Sequence, residues 1–196
     1  VLIALMLVIT AIALVKVSSI DSALTNVNEN FAVKQRQAIN FRGAVHDSSI
    51  ALRDVLLASN AQDRQTHLNT INKLAQDYDR ARTRMDQIFA ADRAIHTARE
   101  QELYRAILDI EQRTRASKEQ VLALVNQDQV DAARQELVST TADLYVEWLA
   151  DINAFIDYEE ANSQNGVTYV RNSTSSLLYI MIGAAILSVI IGAVVG

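Results

Sequence analysis

Apolar side chains recur along this chain by alternating steps of four and three residues. From Ile20 the row reads Ile20, Leu24, Val27, Phe31, Lys34, Ala38, Phe41, Val45, Ser48, Leu52 and Val55, a heptad seam of the kind a helix buries against other helices. A second row follows with Leu68, Ile71, Ala75, Tyr78, Arg82, Met85 and Phe89, and a third with Leu103, Ile107, Ile110, Thr114, Val121 and Leu124. The fourth carries Val130, Leu137, Thr141, Leu144, Trp148, Ile152 and Phe155. Breaks between rows coincide with turn chemistry. Ser59 and Asn60 offer a stop and a new cap, with Asp63 in the next first turn. The stretch AADRAIH at 90–96 has only a weak pattern before Thr97 and Glu100 form a capping box, and Asn126 and Asp128 mark the last turn. The spacing predicts helices over about 18–58, 61–89, 97–125 and 129–174.

Two uncharged runs frame these helices. Val1 to Val15 is followed by Lys16, and Leu177 to Gly196 is preceded by Arg171, with Tyr179 near the expected interface. A span needs about 20 apolar residues, so the second run suffices, and the first is expected to be completed by residues that precede it. It passes into the heptads with no small-residue cleavage site, which favours a membrane helix over a signal peptide. The chain is therefore expected to be a piece of something longer, with membrane helices at 1–17 and 175–196 and a domain at 18–174 outside the membrane. Asn165 and Gly166 could end the fourth helix, but continuity into the second span is the expectation. Amphipathic helices without a sheet bury their stripes on one another. The fold class is all-α: an antiparallel up-and-down four-helix bundle continuous with two transmembrane helices.

Composition narrows the chemistry. There is no proline and no cysteine, and aromatic residues make up 6%, which favours long helices and excludes disulfides and thiolate metal sites. A net charge of −5 argues against a nucleic-acid partner. The 18 basic residues comprise 14 arginines and four lysines, and arginine is suited to holding carboxylates bidentately. No glycine-rich phosphate loop, cysteine nucleophile or serine on a strand-to-helix turn is present, so catalysis and cofactors are not expected. His67 and His96 fall at opposite ends of the second helix, too far apart to share a metal. Trp148 is expected in the core, and Glu159 and Glu160 on a solvated helix face.

Beside the seam of the first helix runs a second row, Ile39, Arg42, His46, Ser49, Arg53 and Leu56, which share one face. A helix interface is expected to lose charge toward its centre, so this row reads as an anion-binding strip at a dimer interface or a bundle cleft. A solvated face, or ion pairs to the neighbouring helix, would produce the same row. Counting about 1.5 Å per residue from the turns near Ser59 and Gln127 puts Ser49, His46 and Arg42 roughly 15, 20 and 26 Å from the tip. The same count brings Tyr78, Arg82, Arg113, Thr114, Thr140, Thr141 and Tyr145 into that slab. Arg82 and Thr141 occupy seam positions, where a polar group is costly unless partnered. Asp47, Asp77, Asp79 or Asp109 could partner Arg82.

Between the two membrane segments, NFRGAVHDSSIALRDVLL at 40–57 and STTADLYVEWLADINAFID at 139–157 resemble the four-helix sensory domains of methyl-accepting chemotaxis proteins. The resemblance covers the whole chain. It implies a periplasmic domain on the bacterial inner membrane, a homodimer or higher homo-oligomer, and a ligand in the membrane-distal half. The implied ligand is a small organic acid such as malate or citrate, met by arginines of helix 1 and polar groups of helix 4. The residues assigned to it are Arg42, His46, Ser49, Arg53, Tyr78, Arg82, Arg113, Thr140, Thr141 and Tyr145. A piston-type shift of helix 4 would then reach a cytoplasmic histidine kinase and coupling protein through a further C-terminal part. The input domain of a membrane histidine kinase or diguanylate cyclase, or a protein-docking bundle without a small ligand, would carry the same heptads.

Overall fold

The structure, a computed structural model, describes residues 2–91 and 96–195. The turn expected at 90–96 falls largely on residues 92–95, outside the described residues. The elements are α1 (Leu2–Thr25), a π-helical segment (Asn26–Phe31), α2 (Ala32–Leu57), α3 (Ala61–Ala91), α4 (Ala98–Asn126), α5 (Val130–Glu136), a second π-helical segment (Leu137–Thr141) and α6 (Ala142–Val195). No strand occurs among the described residues. The all-α four-helix reading therefore holds.

Local chemistry sets the ends. Asn60 Oδ1 accepts the Asp63 N–H at 2.9 Å and starts α3. Thr97 and Glu100 form the reciprocal box that opens α4. After α4 the chain reverses through Asp128, whose φ of 56° lies in the left-handed region that Asp tolerates better than most residues. The N–H of Gln129 returns to Leu124 O at 2.9 Å and satisfies one of the last carbonyls.

The chain divides into two compact units, residues 1–33 with 160–196, and residues 34–159. In the first, Val27 and Gly166 mark a close helix approach: a methyl added at Gly166 would fall 2.5 Å from Val27 Cγ2. Through Asn165 and Gly166 α6 stays helical. Both long helices contain stretches apolar enough to cross a membrane, with mean hydropathy 1.8 and 2.3, and neither stretch is buried inside the protein. Their few hydroxyls bond back along the helix, Thr10 to Met6 O and Ser188 to Ala184 O, each at 2.8 Å.

In the second unit, Phe41, Val45, Leu52, Ile71, Met85, Ile107, Ile110, Val121, Ile152 and Phe155 form one core from all of its long helices. Two aromatic layers cross it. Tyr78 stacks on Phe41 at 4.7 Å and meets Trp148 edge-on at 5.1 Å, while Phe89 stacks on Tyr104 at 4.5 Å and on His96 at 4.4 Å. Ala133, Leu137, Thr141 and Tyr145 are all buried although they step by four each time. At 3.6 residues per turn such a row would rotate off the core face. The wide turn at Leu137–Thr141 brings it back into line.

Two placements depart from the sequence reading. Glu160 is exposed as expected, but Glu159 is fully buried, because it continues the inward row of Ile152, Phe155 and Ile156. On α2, Ser49 and Leu56 turn inward, leaving Ile39, Arg42, His46, Ile50, Arg53 and Leu57 as the exposed row. A strict seven-residue repeat drifts about 20° per heptad around a straight helix, which carries Ser49 and Leu56 toward the core.

Candidate functional site

The polar slab inside the 34–159 bundle is organised by one carboxylate. Glu111 of α4 is 4% exposed. It accepts the Tyr78 hydroxyl at 3.1 Å and Arg82 Nη1 at 2.6 Å, and lies 2.9 Å from Arg115 Nε. Arg115 also pairs with Asp79 and sits 5.2 Å above the Tyr78 ring. Burial, followed by the Glu111 charge, pushes the Tyr78 phenol far up, so it stays a neutral donor. The partner of Arg82 is thus Glu111, with Asp86 at 3.5 Å, and none of the four aspartates expected from the sequence.

Beside this cluster, Ala44, Val45 and Ser48 of α2, Leu74, Ala75 and Tyr78 of α3, Thr114, Arg115 and Lys118 of α4, and Tyr145 and Trp148 of α6 enclose a cavity of about 20 Å³. That is room for one water molecule. Three polar features meet there. Tyr145 and Ser48 hydroxyls lie 3.1 Å apart. The Trp148 indole N–H is buried and meets no acceptor at hydrogen-bond geometry among the described residues. Lys118 is half-buried, and among the described residues no carboxylate reaches ion-pair distance. Burial pushes its ammonium below the ordinary lysine value, and the neighbouring Arg115 adds to this.

Other residues assigned from the sequence lie elsewhere. Thr141, fully buried, has its hydroxyl 2.7 Å from that of Ser117. Ser49 donates to His46 O of its own helix at 2.7 Å. Arg113 points outward and holds Glu147 bidentately at 2.9 and 3.3 Å, and Thr140 is exposed. Exposed Arg42 donates to Asn153 Oδ1 at 3.5 Å, while His46 faces Asp47 at 3.1 Å. Arg53 borders a surface hollow with Leu56, Leu57, Leu137 and Val138. The ten residues therefore do not converge: Tyr78 and Tyr145 line the cavity, Arg82 adjoins it, and Arg42, His46 and Arg53 share the outer face of α2.

An all-helical bundle with two apolar helical stretches matches the family model described as a four helix bundle sensory module for signal transduction, over residues 1–168. The chain belongs to this family. No curated protein and no solved structure matches it. The polar groups of the slab that sequence reasoning passed over are Glu111, Arg115, Lys118 and the Trp148 N–H. For Lys118 the signal was present, since the third heptad row requires an inward residue at 117 or 118 between Thr114 and Val121, and both are polar.

Proposed function

We propose that this sensory module is the input half of a bacterial chemoreceptor and that it takes up a small organic acid, a di- or tricarboxylate such as malate or citrate, on the periplasmic side of the inner membrane. One observation carries the reading: a half-buried Lys118 and a Trp148 N–H, neither of them partnered among the described residues, border the same cavity, with the Ser48 and Tyr145 hydroxyls beside them. A carboxylate entering there would satisfy both cationic and neutral donors. The cavity has room for a water and not for an acid, so entry requires α4 and α6 to part. Uptake would thereby be coupled to a displacement of α6, and a ligand can bias a conformational equilibrium only through such a difference between states. Because α6 is one helix from Ala142 to Val195, the displacement would travel along it toward a cytoplasmic histidine kinase and its coupling protein. A kinase or cyclase output would use the same input.

The exposed row of Arg42, His46 and Arg53, flanked by Ile39, Ile50 and Leu57, is the face we assign to a second copy in a homodimer or higher homo-oligomer. Arg82, Arg113, Thr140 and Thr141 would join the ligand only by exchanging their present partners. Titration calorimetry of the full chain in nanodiscs with a panel of di- and tricarboxylates tests the site. At least one acid is expected to bind, with affinity lowered tenfold or more, about 1.4 kcal/mol, by Lys118→Met. Absence of binding across the panel, or unchanged affinity in Lys118→Met, removes the assignment.

A further inference from the structure

The end of the 34–159 bundle away from the Ser59 and Gln127 turns closes on charged side chains. Lys34 of α2, Glu100 of α4 and Glu159 of α6 are each no more than 2% exposed, and His96, just ahead of α4, is 9% exposed. Lys34 is ion-paired with Glu100 Oε1 and lies 5.8 Å from the centre of the Phe89 ring, which α3 brings to the cluster. Glu100 Oε2 also accepts the Thr97 N–H at 3.3 Å, and His96 Nδ1 lies 3.5 Å from Oε1. His96 Nε2 faces Ile88 O at 3.2 Å, so in the neutral ring the proton sits on Nε2 and Nδ1 has none to give.

Glu159 is the odd member. Both of its carboxyl oxygens are buried, and neither meets a hydrogen-bond donor among the described residues. Lys34 is already matched by Glu100, so a second bare carboxylate in this enclosure would be an uncompensated buried charge, costing several kcal/mol. Where two carboxylates share a site, one keeps its proton. Burial, and after it the charge of Glu100, push Glu159 up to about 9, with Lys34 pulling the other way. Once protonated, Glu159 becomes a donor to Glu100, and the orphaned oxygens are explained.

We propose that Glu100 and Glu159, clamped by Lys34, form a buried proton-binding site that ties α6 to α4 while it is occupied and loosens that tie when it empties. The ligand is the proton, and the site stands independently of the organic-acid reading. The direction follows from linkage. An unfolded glutamate ionises near its ordinary value of 4.5 while the folded group holds its proton to about 9. Between these limits the native state binds a proton that the unfolded state releases. The stabilisation is complete below the lower value, declines as pH rises, and is gone above the upper one.

Thermal unfolding of the full chain in nanodiscs, followed from about pH 5 to about pH 10, tests this with Glu159→Gln, which keeps a donor but cannot ionise. Wild type is expected to lose thermal stability as pH climbs through that window, while Glu159→Gln stays flatter and overtakes it at the alkaline end. Infrared difference spectra are expected to show a protonated-carboxyl band in wild type at neutral pH that disappears at alkaline pH and is missing from Glu159→Gln. No such band in wild type, or a wild-type pH slope retained in the variant, overturns the proposal. If Glu159→Gln does not fold, Glu100→Gln decides: removing the neighbouring charge should shift the loss of the band toward acid pH, and an unmoved midpoint overturns it.

Discussion

Glu111 and Lys118 sit two turns apart on α4 and respond to opposite electrostatic situations. Glu111 is over-supplied with partners, accepting from Tyr78 and Arg82 and ion-paired with Arg115. Neutralising it as Glu111→Gln strips the anion from two guanidinium groups that are only partly solvated, and should cost about 2 kcal/mol in chemical denaturation. Lys118 has no carboxylate at ion-pair distance among the described residues. Lys118→Met should raise stability by about 1 kcal/mol, since it removes a half-desolvated ammonium and leaves the aliphatic stem in place. Opposite signs from two neighbours on one helix would confirm that the slab holds a filled site and a vacant one, whereas destabilisation by both would show Lys118 to be structural. This scale was the least legible in the sequence. The seam position of Arg82 announced that it needed a partner, but a heptad row gives the face of a helix and not its register against the next. Glu111, 29 residues away in sequence, could not be chosen over the four aspartates that share the slab.

Helices, by contrast, were legible because each carries a single stripe with no alternative burial surface, and because Asn60 and Thr97 cap where caps were expected. What the heptads did not reveal is the local departure from them. Three successive steps of four, from Ala133 to Tyr145, are the sequence trace of the π turn at Leu137–Thr141, visible only once Ala133 and Tyr145 are counted with the core. Gly166 was ambiguous between a helix stop and a continuous helix; the helix continues, and the glycine lies close to Val27. Alanine there would gain about 1 kcal/mol in helix propensity. Against this stands the overlap with Val27 Cγ2, and a β-branched side chain in a helix has little rotamer freedom with which to yield, so overpacking should cost about 1–3 kcal/mol. Gly166→Ala is therefore expected to lower the thermal midpoint in detergent, and Val27→Ala combined with it to recover most of the loss. A non-additive recovery in that double-mutant cycle is the signature of direct packing. Simple additivity would mean that the glycine serves some other purpose.

For the molecule as a whole, the decisive fact is how its apolar surface is distributed. Leu7, Leu14, Tyr179 and Val189 are 67%, 66%, 75% and 71% exposed, and the apolar stretches they belong to are not buried by the rest of the protein. Soluble proteins rarely leave apolar patches larger than a few hundred Å² open to water, so these stretches require a covering, and their length and hydropathy fit a bilayer. A lipid covering and a protein covering predict different responses to a charge. In lipid, an arginine near the middle of the second stretch, Ile186→Arg, should make insertion less favourable by roughly 2.5–3.5 kcal/mol, about a hundredfold. A large part of the protein would then move from the carbonate-resistant membrane fraction to the extractable one. The same charge on the Lys16 flank, as Val17→Arg, should be tolerated, because its side chain can reach the headgroups. If instead Ile186→Arg stays in the membrane fraction as firmly as wild type, the helix is sheathed by other protein, and the path proposed for the signal would run through a helix–helix interface and not through a lipid-bathed rod.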